Sequence, residues 1–405
     1  MELARRLAVA RGDEVADLVV RGGRVLSVFT KEWLDVDVAV VDGIVAGLGE
    51  YEGAETIDVS GRYVVPGFVD AHMHLESSKL LVDEFARLVL PLGTTTVVAD
   101  PHEIANVLGT DGVHWLLDAC AALPLDVYFT ASSCVPASRF ESPRRALTPG
   151  DLEGLLRRRR VVGLAEMMNF PGVIAGDPDE LAKLQLEGAR RADGHAPGVV
   201  GKALNAYAAA GIGSDHEAAT LEEGRERLRA GMWLLIREAS AARNLQALLP
   251  LIAEYGTSHI AFCTDDREPE HIADDGHVNS MVRDAVAAGV APEDAVVLAT
   301  LNPALWHGLT RHGAIAPGYR ADLLVLPDLV SFVPELVLKA GLGVGESANP
   351  PVPAWVLETM RLGDLGEAPF AIPWADATRL ARVIGIVPGQ IVTESLTALP
   401  ALADG

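Results

Sequence analysis

Eight short apolar runs, most of them followed by a helical stretch, constrain this chain more than any other feature. They read FVDAHMH, TTTVVAD, LDVYFTAS, VVGLAEM, RADGHAP, GIGSDHE, MWLLIRE and HIAFCTDD. Between them lie helix patterns such as DELAKLQLEGARRA, TLEEGRERLRAG and NLQALLPLIAEYG. Strands that alternate with helices form parallel sheets with crossover helices. Eight such units predict an α/β fold with a TIM-like (β/α)8 barrel. The fifth run has the weakest strand character of the eight.

The flanks have a different rhythm. Residues 15–65 alternate β-like runs with Gly turns, and DG and GG between apolar runs are hairpin signals. This predicts a small antiparallel sheet unit. After the barrel, GAIAPGYRADLLVLPD (Gly313–Asp328) returns to β character and is placed to close the sheet begun before the barrel. The expected division is residues 1–64 as the first part of a β-sandwich side domain, 65–312 as the barrel, and 313–405 as the return to the sandwich with a C-terminal extension. The segment from about 340 onward has scattered Pro and Gly and one apolar stretch, ARVIGIVPGQIV.

Charge narrows the function classes. The net charge of −23 opposes a polynucleotide partner, whose phosphates need a basic surface. The basic run Arg157–Arg160 reads as the solvated end of a helix before the next strand. No run of about 20 apolar residues exists to span a bilayer, and the N-terminal segment lacks a signal-peptide core. Cys120, Cys134 and Cys263 show no paired spacing. No disulfide framework is expected, which suits a reducing, cytoplasmic compartment.

The chemistry is concentrated at strand ends. Residues i and i+2 of a strand share a face, so His72 and His74 project side by side. In a parallel barrel the reactive face is the C-terminal edge of the strands. The second strand ends in Asp100, His102 and Glu103, and the fourth in Glu166. The fifth carries His195 and the sixth His216 and Glu217, while the eighth ends in Asp265 and Asp266. His277 follows the eighth strand and is a candidate to line the site. Ser214 and Asp215 read as caps of the helix after the sixth strand. His114, His307 and His312 read as structural or solvated.

Imidazole and carboxylate without thiolate suit zinc, manganese or Fe(II). Four histidines and two carboxylates exceed the needs of one tetrahedral ion. They suit a pair of metals sharing a carboxylate and a hydroxide. Glu166 is the expected bridge, because the fourth strand lies between the two ligand groups. Asp265 is placed to bind one metal, accept the nucleophile's proton and return it to the leaving group.

At this point the residues resemble a family. VVPGFVDAHMHLESS, ADPHEIANVLG, AEMMNFPGV, DGHAPG, GIGSDHE, CTDD and GHVN are similar to stretches of the bacterial-type adenine deaminases of the amidohydrolase superfamily. PGFVDAHMH is shared across the superfamily, whereas DPHEIANV with AEMMNFPGV is narrower. The resemblance covers nearly all of residues 15–400. It implies a binuclear Mn2+ or Fe2+ centre, with Zn2+ as an alternative, that converts adenine and water to hypoxanthine and ammonia. By motif it assigns His72, His74, Glu166, His195, His216 and Asp265 to the metal, with Asp265 and Glu166 catalytic. His102, Glu103, Glu217, Asp266 and His277 fall to substrate binding or to support of the ligands. A homo-oligomer without nucleic-acid or membrane partners is expected. Family members usually continue well beyond PGQIVTE into a further domain.

Two other readings stay open. One is cyclic-amide hydrolysis, whose enzymes commonly bridge their metals with a modified lysine on strand four, where this chain has Glu166. The other is a truncated, non-catalytic barrel.

Overall fold

The computed structural model describes residues 2–138, 140–345, 350–359, 363, 374, 376 and 378–400. All eight predicted barrel strands form: Phe68–Met73, Thr94–Ala99, Asp126–Ala131, Val161–Met167, Ala192–Gly194, Ser214–Asp215, Trp233–Arg237 and Ile260–Cys263. The first five pair in parallel in sequence order, and so do the last three. Two links join the groups. Gly213 N donates to Ala192 O at 3.0 Å between the fifth and sixth strands. Met73 bridges Asp265 in parallel between the first strand and the end of the eighth. The result is a TIM-like barrel.

The strands are apolar because helices cover them. Every residue of Thr94–Ala99 and of Phe68–Met73 is buried, as expected for a parallel sheet enclosed on both faces. The covering helices bury one stripe each. In Val82–Val89 the residues Val82, Phe85, Ala86 and Val89 face inward at the i, i+3, i+4, i+7 spacing. Thr148 and Thr220 start their helices with capping boxes. At Gly194 a β-carbon would collide with the Ser214 carbonyl oxygen. Glycine therefore lets the fifth and sixth strands, which carry His195 and His216, approach closely.

Two further sheets flank the barrel. One contains Ala16–Arg21, Asp37–Val41, Ile44–Gly49 and Gly53–Asp58. The other contains Arg24–Ser27, Glu32–Asp35, Tyr63–Pro66, Leu323–Leu326, Leu336–Lys339 and Leu342–Gly343. Leu323–Leu326 pairs antiparallel with Tyr63–Pro66, so the chain does return after the barrel to a sheet begun before it. Leu18, Val20, Val38 and Val40 of the first sheet share a core with Val25, Val64, Leu323 and Val325 of the second.

The expectation of a purely antiparallel unit is corrected. Ala16–Arg21 pairs in parallel with Gly53–Asp58, and Arg24–Ser27 with Tyr63–Pro66. Turn chemistry reports local hairpins only. Asp42 and Gly43 both take positive φ, at 51° and 73°, and join a true hairpin. Gly22–Gly23 instead passes the chain from one sheet to the other.

A buried ionic cluster fastens barrel to sheets. Lys339 Nζ lies 2.7 Å from Asp126 Oδ2, at the start of the third barrel strand, and 2.5 Å from Asp322 Oδ2. Arg320 Nη2 reaches Asp126 at 3.0 Å. Farther on, Ala381–Ile386 and Thr393–Ala398 form a hairpin. Its turn meets the barrel where Gly389 O accepts from Arg243 N at 3.1 Å. Parts of the expected C-terminal extension, including 346–349, 364–373 and 401–405, lie outside the described residues. Arg157 follows a helix that ends at Leu156, and the next strand starts at Val161, as its basic run suggested. The three cysteines are free and buried. Among the described residues, no helix is long and apolar enough to cross a membrane.

Candidate metal centre

The strand-end residues converge. His74 Nε2 lies 3.1 Å from Asp265 Oδ1 and 3.4 Å from Glu166 Oε1. His72 Nε2 is 3.7 Å from Asp265 Oδ1, and its ring stacks on that of His216 at 4.3 Å. Glu166 Oε2 faces the other way, 2.7 Å from His195 Nδ1 and 3.3 Å from His216 Nε2. The two oxygens of Glu166 thus address different imidazoles, as a bridging carboxylate must. Asp265 follows the eighth strand in left-handed backbone conformation (φ 56°), which Asp tolerates better than most residues. Its backbone N–H donates to His72 O at 2.9 Å, which locks it against the first strand.

These groups fit divalent cations. His72, His216 and Asp265 place ligand atoms within 4.8 Å of one another, and so do Glu166, His195 and His216. His72 Nε2 is buried without a hydrogen-bond partner, with Asp265 Oδ1 3.7 Å away. Buried polar atoms are nearly always satisfied, so an orphaned imidazole nitrogen here has the character of a ligand.

The electrostatics agree. Burial pushes the imidazoles of His74, His195 and His216 toward neutrality, but nearby carboxylates outweigh it and raise their proton affinity. Glu103, Asp265 and Glu166 act on His74, while Glu166 acts on His195 and His216 together with Glu217. Burial likewise opposes ionisation of Glu166 and Asp265. Contacts with His195 and His216 for the first, and with His72 and His74 for the second, hold both well below the usual carboxylate range. The buried, ionised carboxylates that draw protons onto these imidazoles draw metal cations in the same way.

The supporting residues divide. His102 and Glu103 join the site: His102 Nδ1 is 3.5 Å from Glu166 Oε1, and Glu103 Oε2 is 3.6 Å from His74 Nδ1. Glu217 Oε1 reaches His195 Nδ1 at 3.2 Å and His216 Nε2 at 3.3 Å. Asp266 is exposed at the rim, accepts from Ser77 Oγ, and forms a possible ligand group with His74 and Asp265. His277 does not reach the ligands. It is fully buried behind them, 2.9 Å from Thr94 Oγ1 and 3.5 Å from Asp70 Oδ2. Asp70 in turn accepts from the Thr264 backbone N–H at 3.0 Å and so ties the first strand to the eighth.

Sequence reasoning missed several members. Arg237, buried at the end of the seventh strand, reaches Glu217 Oε1 at 2.5 Å and Asp265 Oδ2 at 3.0 Å. Its only signal was a charge closing an apolar run. Glu76, from the first motif, caps the helix His102–Leu108 by accepting from Ile104 N at 3.0 Å. Burial, then Glu103, pushes its carboxyl up to about 7. Asp215 is not a helix cap, because Thr220 fills that role. Instead Asp215 Oδ2 accepts from the fully buried Arg227 Nε at 2.7 Å, and Arg227 Nη2 donates to Ala196 O at 2.8 Å, just after His195. Ser214 Oγ donates to Asp193 Oδ1 at 2.9 Å.

Comparison with known proteins adds the lineage. Residues 63–344 match the family model described as the amidohydrolase family. The chain belongs to the amidohydrolase family. Among curated amidohydrolase relatives it is 47% identical over 394 residues to "Adenine deaminase 2" of Carboxydothermus hydrogenoformans, covering 96% of this chain and 69% of that one. It is 44% identical to "Adenine deaminase 1" of Rhizobium meliloti, covering 97% and 70%. Solved structures share the amidohydrolase fold at lower identity. N-acetyl-D-glucosamine-6-phosphate deacetylase of Mycobacterium smegmatis superposes with a TM-score of 0.59 at 19% identity, over 81% of this chain and 100% of the other. An amidohydrolase from a Sargasso Sea environmental sample gives 0.59 at 14%, over 84% and 96%.

Proposed function

We propose that this amidohydrolase converts adenine and water to hypoxanthine and ammonia. The observation that carries the reading is the 44–47% identity to proteins named adenine deaminase over 96–97% of this chain. The complete, converging ligand set supports it and argues against a non-catalytic remnant. His72, His74, His195, His216, Glu166 and Asp265 would hold two divalent ions, Mn2+ or Fe2+ by ligand type and by resemblance, with Zn2+ the alternative. When bound, such a pair lowers the pKa of water and supplies a hydroxide nucleophile at neutral pH.

The chain's own residues supply the proton transfers. Asp265, held ionised, accepts the proton of the attacking water and delivers it to the departing amino group. Arg237 occupies Asp265 Oδ2, so Oδ1 is the oxygen facing His72 and His74. The ring nitrogen takes the other proton of the same water, relayed by Asp265 in a separate step, because Glu166 is itself held ionised and has none to give. Glu103, His102 and Asp266 stand at the rim, where they can orient the base. The proposal extends to a cytoplasmic enzyme of purine salvage, consistent with three unpaired cysteines. It also takes the flanking sheets as a β-sandwich side domain, with boundaries near residues 64 and 312. The test is ammonia release from adenine by the metal-loaded protein, with hypoxanthine as co-product.

A further inference from the structure

A third group of side chains stands beside the proposed pair. His74, Asp100, His102 and Glu166 bring four ligand atoms within 4.8 Å of one another. We propose that Asp100 Oδ2, His102 Nδ1 and Glu166 Oε1 form a further divalent-cation position next to the binuclear centre.

Three observations carry this. The first is spacing. His102 Nδ1 lies 2.9 Å from Asp100 Oδ2 and 3.5 Å from Glu166 Oε1. Ligands about 2.0–2.2 Å from a common ion stand roughly 2.8–3.6 Å apart.

The second is orientation. A ligating histidine usually gives its other ring nitrogen to an oxygen acceptor. His102 Nε2 lies 3.2 Å from Glu103 Oε1, and Nδ1 hydrogen-bonds to Asp100 Oδ2 at 2.9 Å, the contact that an ion between the two would replace. Asp100 is fixed in the same way. Its Oδ1 accepts from Ser132 Oγ at 2.9 Å, which turns Oδ2 toward His102.

The third is charge. Asp100, Glu103, Glu166, Glu217 and Asp265 gather here, and among the described residues Arg237 is the guanidinium that reaches any of them. Buried carboxylates need compensating charge, and two divalent ions share that task with imidazoles that are neutral when they ligate. A further cation on Asp100 and His102 balances the side of the site away from Arg237. His74 Nε2, which faces Asp265, stays with the pair.

The experiment is metal counting on the whole chain. The protein is saturated with Mn2+, freed of unbound ion and measured by mass spectrometry, and its crystals are examined for anomalous scattering at the manganese edge. The expected result is three ions per chain, with one peak beside His102 Nδ1 and Asp100 Oδ2. His102→Asn and Asp100→Asn should each lower the count to two while the pair's peaks remain. The peak in the unaltered protein keeps the test valid even if a variant fails to fold. Two ions in the unaltered protein, or an unchanged count in both variants, overturns the proposal and leaves the binuclear reading standing. No bound ion at all overturns both.

Discussion

Arg237 donates from Nη1 to Asp265 Oδ2 across 3.0 Å, and both side chains are buried. Burial works against the guanidinium's charge, but Glu217 and Asp265 outweigh it and hold Arg237 protonated. The same nitrogen serves Glu217 at 2.5 Å. Removing it leaves two carboxylates unneutralised, and breaking such a pair costs about 3–5 kcal/mol. Arg237→Met should therefore lower the melting temperature and cut kcat at least about tenfold by freeing Asp265 to rotate. KM for adenine should change little, because Arg237 stands behind the carboxylate. Arg237→Lys should recover part of both losses. An Arg237→Met variant with unchanged kcat would remove this residue from the positioning of Asp265.

Asp265→Asn keeps the shape and removes the proton acceptor. Turnover should fall at least roughly 100-fold, the low end for a general acid–base group. Metal content measured alongside separates lost proton transfer from lost ligation. Near-normal turnover with metal bound would exclude Asp265 from the chemistry.

His277 predicts a pH dependence of stability. Burial, then the charge of Arg267, pushes its pKa down to about 3. In the unfolded chain it titrates near 6.5. Between those values the unfolded state binds a proton that the folded state refuses, so stability falls as pH drops through this window. The slope is about 1.4 kcal/mol per pH unit. Above pH 6.5 the residue adds no pH dependence. Relative to the unaltered protein, His277→Asn should gain about 2 kcal/mol on going from pH 6.5 to pH 5, read from denaturant midpoints at each pH. A constant difference between the two proteins would refute the assignment.

Lys339 tests the join between barrel and sheets. It neutralises Asp126 and Asp322 in a buried position, with Arg320 beside it. Lys339→Met should destabilise the chain by about 3–5 kcal/mol, because the carboxylates stay behind. Turnover per folded molecule at low temperature should be unaltered, since the cluster lies at the start of the third strand and the ligands lie at strand ends. Thermal melting and activity assays check the two halves.

The residues that were legible in the sequence share a property. His72, His74, Glu166, His195, His216 and Asp265 each close an apolar run, and in a parallel barrel all run ends meet at one edge. Periodicity therefore located the barrel and the side chains that converge at its edge. Arg237 also closes a run, MWLLIRE, but a lone arginine there reads equally as a solvated strand end. Only the fold shows that its neighbours are Glu217 and Asp265. The partnership of Asp215 with Arg227 was hidden for a related reason. Thr220 to Glu223 spells a capping-box signature that already marks Thr220 as the cap of Leu221–Arg229, but nothing in the sequence pairs Asp215 with an arginine twelve residues on. The parallel pairing of Ala16–Arg21 with Gly53–Asp58 is non-local, and turn residues carry no record of it.

The most direct test of the account is substrate turnover by the chain loaded with Mn2+ or Fe2+. Ammonia release is measured from adenine, adenosine, AMP and dihydroorotate, with hypoxanthine followed by its absorbance. The account predicts that adenine is deaminated, that adenosine and AMP are turned over far more slowly, and that a chelator abolishes the activity until metal is restored. Dihydroorotate hydrolysis without adenine turnover, or no turnover of adenine by protein with its metal ions bound, would contradict it.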